Sequence, residues 1–182
     1  IRYSRKKADK NRWHFLLGQL MEQEGHREYA ISHYGKVARS NADYEMVFHA
    51  KLNKTFLQSA VYKDSERQAA ALRAMLRDDK NGEYKDQILY YIAETYVQSG
   101  HPEEALDYYR RSLAIQSANR HQTTQTHLRL GDYFFEAKDY SHAGLHYDSA
   151  GMFIPIDFPD VLNVQKKLGS MDRLITAFRT VG

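Results

Sequence analysis

One spacing pattern occurs three times along the chain and constrains its fold more than any other feature. In each copy a small residue is followed 12 positions later by an alanine and 16 positions later by a tyrosine. The three copies are Gly18, Ala30 and Tyr34; Ala93, Ala105 and Tyr109; and Gly131, Ala143 and Tyr147. The alanine and tyrosine share one face of a helix because they lie four residues apart. We therefore expect two antiparallel helices that approach closely at the small residue, with the alanine opposite it and the tyrosine filling the gap to the next repeat.

A turn position lies seven residues after each small residue, at Gly25, Gly100 and Lys138. A helix pair with this arrangement resembles the tetratricopeptide repeat. The predicted fold class is all-α: a tetratricopeptide-repeat, right-handed superhelical array of antiparallel helix pairs. The 182 residues suit a single domain of this kind.

The predicted domain is residues 1–182, divided into repeats and C-terminal helices. The repeats span about 11–42, 43–80, 86–118 and 124–156, with C-terminal capping helices at 159–180. The second repeat is degenerate: Ala50 takes its small position, and a capping box at Ser65 and Gln68 starts its second helix. Loops are expected at 78–82 and 117–120.

The C-terminal segment is expected to form two helices. The first runs to about Leu168, Gly169 and Ser170 break it, and the last helix reaches about Phe178. These helices either cap the array or begin a fifth repeat.

Composition excludes several classes of site. The absence of cysteine excludes disulfides, thiolate zinc sites and cysteine nucleophiles. The first twelve residues hold six basic residues and one acidic residue, so basic charge is concentrated at one end rather than spread over a folded face, as nucleic-acid binding usually requires. This segment is either a solvated helix end or a docking patch for an acidic partner. The chain begins at Ile1, which indicates a fragment of a longer protein.

The first helix of each repeat is expected to line a concave groove. Its mixture of aromatic, amide and charged side chains suits an extended peptide or a partner helix better than a small molecule. Tyr90 is expected to project away from the packed helix face and to anchor the partner, although some groove positions are expected to pack against neighbouring repeats. The predicted partner-binding residues are Phe15, Gln19, Lys51, Tyr90, Glu94, Leu128 and Asp132.

Catalytic signals are weak. His142 and His146 are four residues apart, a spacing that binds metal ions in other proteins, but no third ligand is evident and both are expected to be solvated. The chain has no glycine-rich phosphate loop and no serine or cysteine partnered by a histidine. We therefore expect no enzymatic activity, no cofactor and no metal.

Three stretches resemble the PorW/SprE family, tetratricopeptide lipoproteins of Bacteroidetes that serve the type IX secretion system and, in some members, gliding motility. They are residues 44–53, residues 75–88, and Tyr147 to Ser149 followed by Phe153 to Pro155. The similarity extends from about Trp13 to Leu168, and His49 departs from the asparagine expected there.

The resemblance implies a periplasmic adaptor that binds other secretion components. Such proteins are held at the outer membrane by a lipidated cysteine, which would lie outside this chain, and the resemblance supplies no catalytic residues. The alternative is a generic tetratricopeptide scaffold of another pathway that binds a peptide or helix in its groove.

Overall fold

A computed structural model describes residues 2–62, 65–159 and 161–181. This part of the chain is entirely helical in its regular structure, so the predicted all-α class is confirmed. A 3₁₀ segment is also present at Asp79–Tyr84. The helices are α1 (Arg2–Gln23), α2 (Arg27–Ala38), α3 (Tyr44–Tyr62), α4 (Ser65–Arg77), α5 (Lys85–Gln98), α6 (Pro102–Ala114), α7 (Arg120–Glu136), α8 (Tyr140–Phe153) and α9 (Val161–Val181).

The helices form two compact units. Unit 1 consists of residues 1–82 and 94–101, and unit 2 of residues 83–93 and 102–182, so α5 contributes to both. In unit 1, α2 packs on α1 and on α3, and α4 packs on α3. In unit 2, α8 packs on α7 and on α9, and α6 packs on α7. Each unit therefore repeats the packing of sequential antiparallel helices that the spacing pattern predicts.

The tyrosine of the pattern packs over the glycine of its own helix pair. A Cβ atom built on Gly18 would lie 2.7 Å from the Tyr34 ring, and one on Gly131 would lie 2.6 Å from the Tyr147 ring. Both tyrosines are buried. The predicted close approach is confirmed. Tyr34 also shares a buried cluster with Ala50 and Leu57 of α3, in agreement with the prediction that the tyrosine reaches the next repeat. The ring needs the space that a glycine leaves, and the glycine on the facing helix provides it.

The turn between the two helices of a pair has the same geometry in three places. Gly25, Gly100 and Lys138 have φ angles of 78°, 80° and 60°. The amide of each turn residue donates to a carbonyl three residues earlier, and the following amide donates to a carbonyl five residues before it, at 2.7 to 3.1 Å. This is the Schellman arrangement, in which a left-handed residue ends a helix.

Lys138 is the one member of this set with a side chain in the left-handed region. An L-residue other than glycine is disfavoured there by about 1 kcal/mol. We therefore expect Lys138→Gly to stabilise the protein by up to about 1 kcal/mol, measured by urea unfolding. The same substitution at Lys36, inside α2, is the control and should destabilise by a similar amount. A loss of stability in the Lys138 variant would contradict the argument.

One predicted loop and one predicted helix break differ from the structure. The expected loop at 78–82 is largely the 3₁₀ segment, in which Asn81 is buried. The expected break at Gly169 and Ser170 is absent, because α9 continues from Val161 to Val181. The Ser170 hydroxyl donates to the Lys166 carbonyl and the Arg173 Nε donates to the Gly169 carbonyl, so both polar side chains bond within the helix. The predicted capping box falls on the Ser65 side chain, which lies outside the described side chains.

Candidate interaction surface

The predicted groove residues of unit 1 differ in exposure. Gln19 and Lys51 are exposed. Phe15 is half-buried and places its ring edge against the Tyr34 ring, with the centroids 5.7 Å apart. Glu94 is buried, with 7% of its surface exposed. Of these four residues, only Gln19 and Lys51 therefore have exposed side chains.

Tyr90 was predicted to project away from the packed face of α5, and this prediction is wrong. It is 2% exposed, and its ring lies 5.6 Å from the Tyr91 ring and 5.7 Å from the Tyr109 ring. The Arg129 guanidinium approaches its hydroxyl at 3.4 Å. The reason is helical geometry: Tyr90 precedes the small residue Ala93 by three positions, and residues three apart lie on the same face. Tyr90 is thus a core residue of unit 2.

The remaining predicted residues of unit 2 are partly engaged within the fold. Leu128 is half-buried. The Asp132 Oδ1 accepts hydrogen bonds from the Tyr147 hydroxyl and the Lys167 Nζ, both at 2.7 Å. Asp132 therefore fastens α8 and α9 to α7, and its carboxylate is already paired.

An exposed apolar face on α1 was missed by the sequence analysis. Trp13, Leu16, Leu17 and Leu20 are 66%, 44%, 36% and 47% exposed. Their positions, i, i+3, i+4 and i+7, form one stripe along a helix. The spacing alone carries this signal. We call these four residues the α1 face.

Three positions of this face are each buried in two of the other three repeats, and the unburied equivalents are Glu45, His49 and Tyr133. The residue just before the small position is Leu17 in α1; its equivalents, Ile92 and Leu130, are fully buried. Trp13 is equivalent to Ile88 and Thr126, which are also fully buried. Leu20 is equivalent to Leu52 and Thr95, each at most 1% exposed. The α1 face thus has the character of an internal repeat surface that another helix covers.

Basic residues flank the α1 face. Lys10 and Arg12 are exposed on the turn before Trp13. The earlier basic residues Arg2, Arg5, Lys6 and Lys7 belong to α1, but their side chains lie outside the described part of the structure. An apolar stripe with a basic end is complementary to an apolar stripe with an acidic end.

The histidines of α8 differ from the expected solvated pair. His142 is exposed, and its Nδ1 lies 2.7 Å from the Asp139 carboxylate. His146 is half-buried instead: its Nδ1 lies 3.0 Å from the Nδ1 of His127, and its ring stacks on Phe134. Burial, with the neighbouring charges of His127, His142 and Arg110, lowers the pKa of His146 to about 4. Within the described residues, no three His, Cys, Asp or Glu side chains form a metal-binding group.

The chain contains a tetratricopeptide repeat. The tetratricopeptide repeat family model matches residues 87–119, which include most of α5 and the whole of α6. Proteins of this repeat fold typically serve as non-enzymatic scaffolds with protein partners, which agrees with the all-helical structure. A comparison with curated proteins finds no match. None of the described helices is long and apolar enough to cross a membrane.

Proposed function

We propose that this protein is an interaction scaffold that binds a partner helix on the α1 face. The exposure of Trp13, Leu17 and Leu20, at positions that are each buried in two of the other three repeats, carries the proposal. Contiguous apolar surface on a folded protein marks interaction sites. A helix fits this face because helices fill the equivalent positions elsewhere: α2 packs on α3 in unit 1, and α6 packs on α7 in unit 2.

The partner helix is amphipathic, with acidic residues next to its apolar stripe. Its apolar side chains cover Trp13 and Leu20, and its carboxylates face Lys10 and Arg12. Charge pairs at the edge of an interface mainly accelerate association and are screened by salt. The association rate should therefore fall as ionic strength rises, while the apolar contacts persist.

The scaffold serves the type IX secretion system as a periplasmic adaptor in this proposal. Its support is the resemblance of residues 44–53, 75–88 and 147–155 to PorW/SprE lipoproteins. The partner helix then belongs to another secretion component, and attachment to the outer membrane uses a lipid anchor outside this chain. No cofactor, small-molecule substrate or nucleic acid takes part.

Trp13 is the residue whose loss should weaken binding most. Tryptophan side chains often contribute 2 kcal/mol or more to an interface, so Trp13→Ala should reduce affinity by about thirtyfold or more. Tyr29→Ala is the matched control, since Tyr29 is also 66% exposed but lies on α2. The immobilised chain and both variants are incubated with periplasmic extract from a bacterium that uses type IX secretion, and captured proteins are quantified by mass spectrometry.

The outcomes separate the surface from the pathway. One outcome supports both the α1 face and the secretion role: the unmodified chain and Tyr29→Ala capture secretion components, and Trp13→Ala does not. Trp13-dependent capture of other proteins only would contradict the secretion role and keep the α1 face. A double variant, Gln19→Ala with Lys51→Ala, tests the groove positions; if it loses capture while Trp13→Ala does not, the α1 face is the wrong surface. Far-ultraviolet circular dichroism checks that each variant remains folded.

A further inference from the structure

Two cross-helix histidine pairs occupy equivalent positions in the two units. His14 on α1 faces His33 on α2, and His127 on α7 faces His146 on α8. The first member of each pair lies four residues before the glycine of the repeat pattern, and the second lies immediately before the tyrosine. The packing of that tyrosine over that glycine brings both helices into the same register, so both pairs arise from repeat geometry rather than from chance at one site.

The two pairs have nearly the same geometry. Each Nδ1–Nδ1 distance is 3.0 Å. The ring centroids lie 5.2 and 5.3 Å apart, and the ring planes are inclined at 45° and 42°. In the second pair the rings are also fixed from outside, because His146 stacks on Phe134 and His127 stacks on Phe153. In this second pair the two imidazole nitrogens are thus held close together by packing that does not depend on their own bond.

We propose that each pair, His14 with His33 and His127 with His146, binds one Cu²⁺ ion through its two Nδ1 atoms. The Nδ1–Nδ1 distance of 3.0 Å matches two ligands in neighbouring positions of a square arrangement: with a metal about 2.0 to 2.1 Å from each nitrogen, the nitrogen–metal–nitrogen angle is about 91 to 97°. A tetrahedral ion such as Zn²⁺ needs the nitrogens about 3.3 Å apart, so it fits less well. Nitrogen ligands also favour Cu²⁺ over the other divalent ions of its row.

The protonation state of the rings suits a metal ion. Burial lowers the pKa of His14, His33 and His127 below the ordinary value, and the positive charge of Lys36 lowers the pKa of His14 and His33 further, so these imidazoles are neutral near pH 7. Without metal, one ring donates its Nδ1–H to the Nδ1 of the other. On binding, the donor ring carries its proton on Nε2 instead, both rings turn so that their Nδ1 lone pairs point at the ion, and no net proton is released. Water molecules complete the coordination, since the described residues offer no cluster of three ligands.

The test is a Cu²⁺ titration of the full 182-residue chain, followed by calorimetry and electron paramagnetic resonance. We expect two ions per chain, each with two nitrogens of imidazole type in its coordination plane. His14→Ala and His127→Ala should each remove one ion, and His146→Ala should remove the same ion as His127→Ala. Zn²⁺ should bind more weakly than Cu²⁺ at both sites.

The control variant is His142→Ala. His142 lies four residues before His146 on the same helix, so these two are the alternative pair for a metal in unit 2. The proposal requires that His142→Ala still binds two ions. It is overturned if His142→Ala loses an ion that His127→Ala keeps, or if none of the single variants changes the stoichiometry, as scattered binding to surface histidines would give. Circular dichroism at the start of each titration confirms that the variant has kept its helices.

Discussion

Gly131→Leu should destabilise the protein by about 3 kcal/mol, because the space beside Gly131 is already filled by the Tyr147 ring. A Cβ atom at position 131 would lie 2.6 Å from two ring carbons, closer than side chains pack. Tyr147 cannot swing outward freely, since it is 4% exposed and its hydroxyl donates to Asp132. Overpacking of a filled site typically costs about 1 to 3 kcal/mol, and a leucine also forces the tyrosine from its hydrogen bond. For a chain of this length, the expected fall in Tm is roughly 6 to 12 °C.

Gly169→Leu is the matched control for this prediction. Gly169 also lies inside a helix, but no heavy atom is within 4 Å of a Cβ built there. Leucine favours a helix interior over glycine by up to about 1 kcal/mol, so this variant should be slightly more stable than the parent. Opposite signs for the two substitutions would attribute the loss to the Gly131–Tyr147 contact. A fall in stability of similar size in both variants would contradict that account.

A double-mutant cycle tests the contact directly. In a Tyr147→Ala background the ring is gone, so the further cost of Gly131→Leu should be much smaller than in the parent. Equal costs in the two backgrounds would show that the leucine clashes with something other than Tyr147.

The helix pairs were predictable because their evidence is local. The 12- and 16-residue spacings that join Gly18 to Ala30 and Tyr34 describe two helices and the turn between them. A glycine at the turn position, such as Gly100, also indicates from the sequence where a helix ends, because glycine adopts the left-handed conformation easily. The continuous helix α9 shows the limit of this reasoning: one exposed glycine costs only about 1 kcal/mol, and a 21-residue helix tolerates it.

The interaction surface was less predictable because it depends on which helices are neighbours. Counting positions outward from Ala93 put Tyr90 on a groove, although a residue three positions before the small one faces the core. The α1 face was not predicted, although its four residues follow a helical spacing. Its exposure follows from tertiary packing, which the spacing does not describe. The histidine pairs also appear only when two helices are set side by side, because their members are 19 residues apart.

The segment 75–88, which carries the most specific part of the family resemblance, has a structural role that centres on Asn81. Asn81 is 5% exposed at the 3₁₀ segment. Its Oδ1 accepts a hydrogen bond from the Tyr44 hydroxyl at 2.6 Å, and its Nδ2 donates to the Met75 carbonyl at 2.7 Å. One side chain therefore ties the start of α3 to the end of α4. The residues of this stretch therefore have a role in the fold that does not require a partner.

Asn81→Ala should destabilise the protein by about 2 kcal/mol. The substitution removes two hydrogen bonds, each worth about 1 kcal/mol, and leaves the Met75 carbonyl with only the longer bond from the Asp78 amide, at 3.3 Å. Asn41→Ala is the control, since Asn41 is exposed in the loop before α3 and should change stability by less than about 0.5 kcal/mol. Urea unfolding gives both values.

Two further variants separate the bonds of Asn81. Tyr44→Phe removes only the hydroxyl and should cost about 1 kcal/mol, because Tyr44 is partly exposed and water partly replaces the lost contact. Asn81→Asp keeps an acceptor for Tyr44 but replaces the Nδ2 donor by an oxygen that faces the Met75 carbonyl, so it should cost more than Tyr44→Phe. If Asn81→Asp is as stable as the parent, the bond to Met75 contributes nothing, and Asn81 does not join α3 to α4 in the way the structure indicates. If Asn81→Asp and Asn81→Ala are both strongly destabilised while Tyr44→Phe is mild, the Met75 bond is the one that holds the end of α4 in place.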